Sequence, residues 1–138
     1  MVTAREITSP GADCVATTDT GGDIARMMTR LGVGALAVCG LDNKVKGVVT
    51  DRDVVTKVLG NDRDPSLFPA GDLNQSGAIT IGADHPAEDV LATMTLHRVR
   101  RLPVIDGERL IGMIALADVA RTLPHPQVGE LVEALSAE

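Results

Sequence analysis

The residues of this chain best placed to do chemistry are a hydroxyl and a carboxylate three positions apart. Thr50 and Asp53 lie in Gly47-Val48-Val49-Thr50-Asp51-Arg52-Asp53-Val54, where an apolar strand-like run gives way to a helix start. At this spacing Thr50 caps the helix and Asp53 reaches back, an arrangement worth about 0.5–2 kcal/mol. A helix start capped in this way is also a rigid platform for a ligand. A second carboxylate, Asp118, stands at the same point of Gly112-Met113-Ile114-Ala115-Leu116-Ala117-Asp118, where Ala115 replaces the hydroxyl residue. The plain expectation there is a helix without its cap, with Asp118 favouring the positive end of the dipole. His97, Arg98, Arg100 and Arg101 form a cationic cluster. It is either a solvated helix C-terminus or, through an arginine fork, a polyanion contact.

Catalysis finds no support. The chain has no Gly-x-Ser-x-Gly, no P-loop and no Cys-x-x-Cys, and its histidines His85, His97 and His125 are isolated. Metal ligation and nucleophilic triads need convergent partners that this spacing does not offer. Asp51 and Asp53 leave a helix start on different sides and make a poor acid–base pair. The expectation is a protein that is not an enzyme and requires no cofactor or metal.

The elements that must position these groups occur twice. Val33-Gly34-Ala35-Leu36-Ala37-Val38-Cys39 returns as Val99-Arg100-Arg101-Leu102-Pro103-Val104-Ile105, and the Gly47 segment returns as the Gly112 segment. The turn between them is one residue shorter in the second copy. Each copy reads β-α-β-β-α: a short strand (Cys14 to Thr17; Ala78 to Ile81), a helix, a hairpin and a closing helix. Ile24, Met27, Met28 and Leu31 make one apolar stripe on the first helix, and Val90, Leu91 and Met94 its weaker counterpart. Asp106-Gly107 is a strong hairpin signal. Gly60 and Pro124 are expected to stop the closing helices. These signals give repeat 1 over residues 4–60, a polar linker over 61–69, repeat 2 over 70–123 and a helical tail over 124–138. Val128, Leu131, Val132 and Leu135 form a stripe on that tail, expected to pack on its own domain rather than on a partner.

Composition narrows the partners. Hydrophobic residues make up 44%, yet Phe68 is the only aromatic, and the net charge is −6. Base stacking and phosphate-backbone binding are both disfavoured, so nucleic acid is not expected. No apolar run approaches membrane-spanning length and the first residues lack a secretory core, so a cytoplasmic protein without membrane contact is expected. Cys14 and Cys39 are too few for a disulfide scaffold and read as small buried hydrophobes, though both belong to repeat 1 and a bridge stays open.

On the two in-register motifs and on His97-Arg98-Val99-Arg100-Arg101-Leu102-Pro103-Val104-Ile105-Asp106, the chain resembles a tandem CBS-domain pair, or Bateman module, over residues 4–123. It is similar in particular to the small actinobacterial CBS-pair proteins of the hypoxic-response type. The resemblance implies an α+β fold of two β-α-β-β-α repeats packed about a pseudo-two-fold axis, clefts between the repeats that take adenosine-containing ligands, and disc-like homodimers. It implies that Asp53 and Asp118 accept from ribose hydroxyls, that Thr50 faces phosphate, and that His97 and Arg98 reach phosphates. With no attached enzyme or channel, regulation would act on a separate protein partner.

Two readings stay open. In one, this is a sensor of AMP, ADP, ATP, NAD or S-adenosylmethionine. In the other it is a ligand-free scaffold or stress-response interaction module with vestigial clefts. Ala115, Gly32 and the missing aromatics favour the second; Thr50, Asp53 and Arg98 favour the first.

Overall fold

Each copy of the repeat closes its own three-stranded sheet. The computed structural model describes residues 2–8, 13–73 and 78–136. In chain order the first elements are α1 (Ala4–Ile7), β1 (Cys14–Ala16), α2 (Gly21–Leu31), β2 (Ala35–Cys39) and β3 (Val45–Thr50). A helical run comes next, opening as α3 (Asp51–Asp53), widening to π-helix over Val54–Val58 and tightening to a 3-10 turn at Leu59–Asn61. Then come α4 (Ala70–Leu73), β4 (Ile81–Gly82), α5 (Ala87–His97), β5 (Arg101–Asp106), β6 (Arg109–Ala115), α6 (Leu116–Thr122) and α7 (His125–Ser136).

The sheets share one topology, β1-β2-β3 and β4-β5-β6, with the first pair parallel and the second antiparallel. Val15 pairs with Val38 in one and Ile81 with Val104 in the other, so the duplication is in register at the level of the strands. Both hairpins carry a bulge at the same point, between Val38 and Cys39 and between Val104 and Ile105. Gly107 and Asn43 take positive φ at the two hairpin tips. Asn43 tolerates it because a short polar side chain can bond locally.

Packing divides the chain into Asp13–Ala78 and a second unit of Met1–Ala12 with Ile79–Glu138. This is a different partition from the repeat boundaries in sequence, because the segment before each first strand is exchanged. In the second unit Ala4 N–H donates to His85 O at 2.9 Å and Arg5 N–H to Ala83 O at 2.9 Å, and Ala87 N–H donates to Val2 O at 2.8 Å. Ala4 and Ile7 join the core of Val90, Met94, Leu102, Val104 and Ile114. Arg5 adds 3.3 Å ion pairs to Asp84 and Asp106. In the first unit Ala70 N–H donates to Asp19 O at 2.6 Å and Gly71 N–H to Thr17 O at 2.9 Å. Ala70 and Leu73 complete the core of Val15, Ile24, Leu36, Val38 and Val49. The segment over 61–69 is docked as well, with Gly21 and Gly22 donating to Phe68 O and Pro65 O.

Several expectations are revised. The second copy's first strand begins at Ile81, not Ala78. The stripe on α2 ends at Met28: Leu31 is 39% exposed, because Gly32 in the left-handed conformation turns the chain away at the helix end. The first closing helix stops at Asp62 rather than Gly60. Asp62 takes φ 56° and lets Arg63 N–H reach back to Val58 O at 2.9 Å, which satisfies a helix-end carbonyl. On α7, Leu131 is fully buried and Val128 and Leu135 pack on the second core, while Val132 is 44% exposed. The tail therefore packs on its own unit; its last two residues lie outside the described ones. Cys14 and Cys39 are free thiols on neighbouring strands. Burial, then a hydrogen bond with Cys14, push the Cys39 thiol up to about 12.

Candidate ligand-binding site

The two helix starts are built alike. Ala35 pairs with Thr50 and Arg101 with Ala115, where the sheet ends. The next residue is tied back in each copy, Asp51 N–H to Gly34 O at 2.9 Å and Leu116 N–H to Arg100 O at 3.1 Å. The chain leaving the first helix of each repeat therefore lies beside the start of the closing helix.

At the first start the capping box is complete. Thr50 Oγ1 accepts from Asp53 N–H at 3.1 Å, and Asp53 Oδ2 accepts from Thr50 N–H at 2.9 Å. The Thr50 hydroxyl keeps its proton to donate elsewhere. Asp53 Oδ1 lies 3.3 Å from Lys57 Nζ, and that ammonium also donates to Leu73 O at 3.1 Å. Lys57 was not singled out from the sequence; its i,i+4 spacing from Asp53 is the signal that marks it.

At the second start half the box survives. Ala115 N–H donates to Asp118 Oδ2 at 2.7 Å although Ala115 has no oxygen to offer in return. The expectation that this helix has lost its cap is therefore corrected: the carboxylate alone satisfies one backbone donor. Asp118 Oδ1 accepts from Arg121 at 2.7 Å, and Asp118 is 7% exposed. Arg121, one turn on, is a second neighbour that the motif alone does not mark.

The cations stand at the other end of α5. Arg98 is its C-cap in the left-handed conformation, with φ 54° and ψ 47°, and donates its backbone N–H to Met94 O. His97 is the last residue of α5, and both side chains are exposed. Arg100 donates to Leu135 O on α7 at 3.3 Å, and Arg101 to Arg100 O at 3.0 Å, so these two serve local structure. The structure thus joins Thr50 to Asp53 directly in the first unit. It places Asp118, Arg98 and His97 in the second, with Asp118 held by Ala115 and Arg121.

A third capping box, unremarked in the sequence, links Thr20 and Asp23 at the start of α2. The Thr20 backbone N–H, then Arg26, hold Asp23 below the usual carboxylate value of 3.8. Among the described residues no three His, Cys, Asp or Glu side chains gather as a metal site, and no helix is long and apolar enough to cross a membrane.

Two three-stranded sheets of one topology, each with a helix starting where its hairpin ends, fit a CBS-domain protein. The CBS domain profile matches residues 4–60 and 70–125, and the chain belongs to that family. It is 38% identical over 135 residues to hypoxic response protein 1 of Mycobacterium tuberculosis, covering 98% of this chain and 94% of that protein. Its fold is similar to the crystal structure of hypoxic response protein I with two coordinated zinc ions, with TM-score 0.81, 39% identity and coverage of 89% and 100% of the two chains. It is also similar to the crystal structure of CBSX2 in complex with AMP, with TM-score 0.71, 22% identity and coverage of 88% and 95%.

Proposed function

We propose that this protein is a non-enzymatic sensor that binds an adenosine-containing ligand and signals to a separate protein partner. The observation that carries this is the complete Thr50–Asp53 box. It fixes a carboxylate and a hydroxyl with a donatable proton on one rigid backbone corner. Asp53 accepts from the ribose hydroxyls and Thr50 donates to the phosphate. In the second repeat Arg98 and His97 are exposed at the end of α5, where the Arg98 guanidinium supplies positive charge for a phosphate and the His97 ring can hydrogen-bond to it. That a CBS-fold neighbour was crystallised with AMP supports the ligand class. The physiological setting proposed is a stress response in the cytoplasm, in line with the naming of the mycobacterial relative.

A second reading has its own support in Asp118. Its oxygens are engaged by Ala115 and Arg121, and its side chain is 8% exposed against 23% for Asp53, so it is the less accessible carboxylate of the two. The second start is accordingly proposed as vestigial, and a scaffold with no ligand at either start is the alternative for the whole protein.

Calorimetric titration with AMP, ADP, ATP, NAD and S-adenosylmethionine separates the two. Calorimetry suits a chain without Trp or Tyr. The expected result is saturable heat from one of them, abolished by Asp53→Ala in a protein that circular dichroism shows to be folded. Absence of heat from all five up to millimolar ligand would overturn the sensor reading and leave the scaffold.

A further inference from the structure

The cation beside Asp53 is tied at two points. Lys57 Nζ lies 3.3 Å from Asp53 Oδ1 and donates at 3.1 Å to the carbonyl of Leu73, the last residue of α4. An ammonium carries three N–H donors, and no described residue accepts the third. The Lys57 side chain is 51% exposed, so this donor is open to solvent beside the carboxylate.

The second repeat builds the matching position differently. Thr56-Lys57 answers to Arg121-Thr122, the hydroxyl and the cation having changed places. Each threonine bonds back one turn, Thr56 to Arg52 O and Thr122 to Asp118 O, both at 2.8 Å. Each cation takes its carboxylate, but Arg121 meets an Asp118 side chain that is nearly buried, whereas Asp53 is the more accessible of the two. The run across Lys57 also widens to π-helix while α6 does not, and such widenings are frequent at functional sites. The first corner thus sets an accessible carboxylate, which only accepts, beside an ammonium, which only donates.

A hydroxyl does both. A carboxylate alone takes its proton and leaves its oxygen to water; a carboxylate with an ammonium alongside answers both functions. Two adjacent hydroxyls suit such a pair. We infer that Lys57 is a further ligand-binding residue, donating its third N–H to a ribose hydroxyl oxygen while Asp53 accepts a ribose hydroxyl proton. The corner then selects ligands with a free vicinal diol. This rests on the reading of Asp53 as the ribose acceptor and adds the class of sugar: ribonucleotides with both the 2′ and the 3′ hydroxyl unsubstituted, in preference to their deoxy forms.

Calorimetry on the whole chain tests it, with AMP, ADP and ATP each beside its 2′-deoxy and 3′-deoxy forms. Wild type is expected to bind a ribonucleotide about tenfold or more tighter than at least one of its deoxy forms. Lys57→Met keeps the apolar stem, and circular dichroism verifies its fold. It is expected to weaken the ribonucleotide about tenfold and the deoxy form hardly at all, so that the preference collapses. Lys57→Arg still donates and is expected to retain part of the preference. A loss of affinity shared equally by both forms would mean that Lys57 acts through the fold alone, and overturns the proposal. So does a wild type that does not discriminate, or a Lys57→Met protein that binds and discriminates as wild type does; if Asp53→Ala still abolishes binding, the sensor reading survives either result. No heat from any of the three ribonucleotides overturns the proposal too, and NAD and S-adenosylmethionine then decide the sensor reading by themselves.

Discussion

At the scale of single residues, the two repeats run an experiment on themselves. Thr50 has φ −114° and ψ 163°, and Ala115 has φ −103° and ψ 162°, so the backbone of the second helix start already waits in the capping conformation. Only a hydroxyl is missing. Ala115→Ser is therefore expected to stabilise the protein by about 0.5–2 kcal/mol, and Thr50→Ala to destabilise it by a similar amount. Chemical denaturation reads both, and an Ala115→Ser protein no more stable than wild type would mean that Asp118 and Arg121 already satisfy that corner. The Thr50–Asp53 pair was legible because a capping box is complete within four residues; the Thr20–Asp23 pair, built the same way, was equally open to reading. Lys57 and Arg121 are legible on the same grounds, as i,i+4 and i,i+3 neighbours of the carboxylates, although both lie beyond the helix-start motif itself. Arg5 with Asp84 and Asp106 is another matter: nothing local connects residues so far apart in sequence.

At the scale of elements, α7 is the clearest case of a pattern that carried its own meaning. Its stripe announced a packed face, and Leu131 sits with no exposed surface in the second core. Leu131→Ala is expected to cost about 2–5 kcal/mol, the range for deleting a buried leucine side chain. The loss should appear as a lower denaturation midpoint; a shift under about 1 kcal/mol, by the same standard, would mean that the helix is only loosely seated. Periodicity was less reliable at element ends. Leu31 fits the α2 stripe by spacing yet lies exposed, because a period says which face a residue shares and not where the helix stops. Gly60 misled for a related reason. Glycine is the usual left-handed stop, but Asp62 took that conformation instead, since an aspartate side chain also tolerates it.

At the scale of the whole molecule, the duplication foretold two matching sheets but not the exchange of the segments that precede them. A repeat traced along the sequence assigns residues 4–7 to β1, the nearest strand, whereas backbone hydrogen bonds from Ala4 and Arg5 join them to Ala83 and His85. The apolar pattern of α1 shows that it must be buried and is silent on where. Removing residues 1–8 is thus expected to speed amide hydrogen exchange in β4, β5 and β6 more than in β1, β2 and β3. The opposite ranking, read by mass spectrometry, would contradict this assignment of α1.

The matching hairpin bulges carry one more consequence. Val38 faces Gly47 and Cys39 faces Val45, passing over Lys46; Val104 faces Gly112 and Ile105 faces Leu110, passing over Ile111. The phase of each strand is thereby reset in the same way between the tip and the helix start, and Thr50 and Ala115 keep equivalent places although the tips differ in length. Each tip is an insulated handle. An affinity tag or surface tether spliced beside Asn43 or Gly107 would immobilise the protein for ligand screening with the Thr50–Asp53 corner left in place.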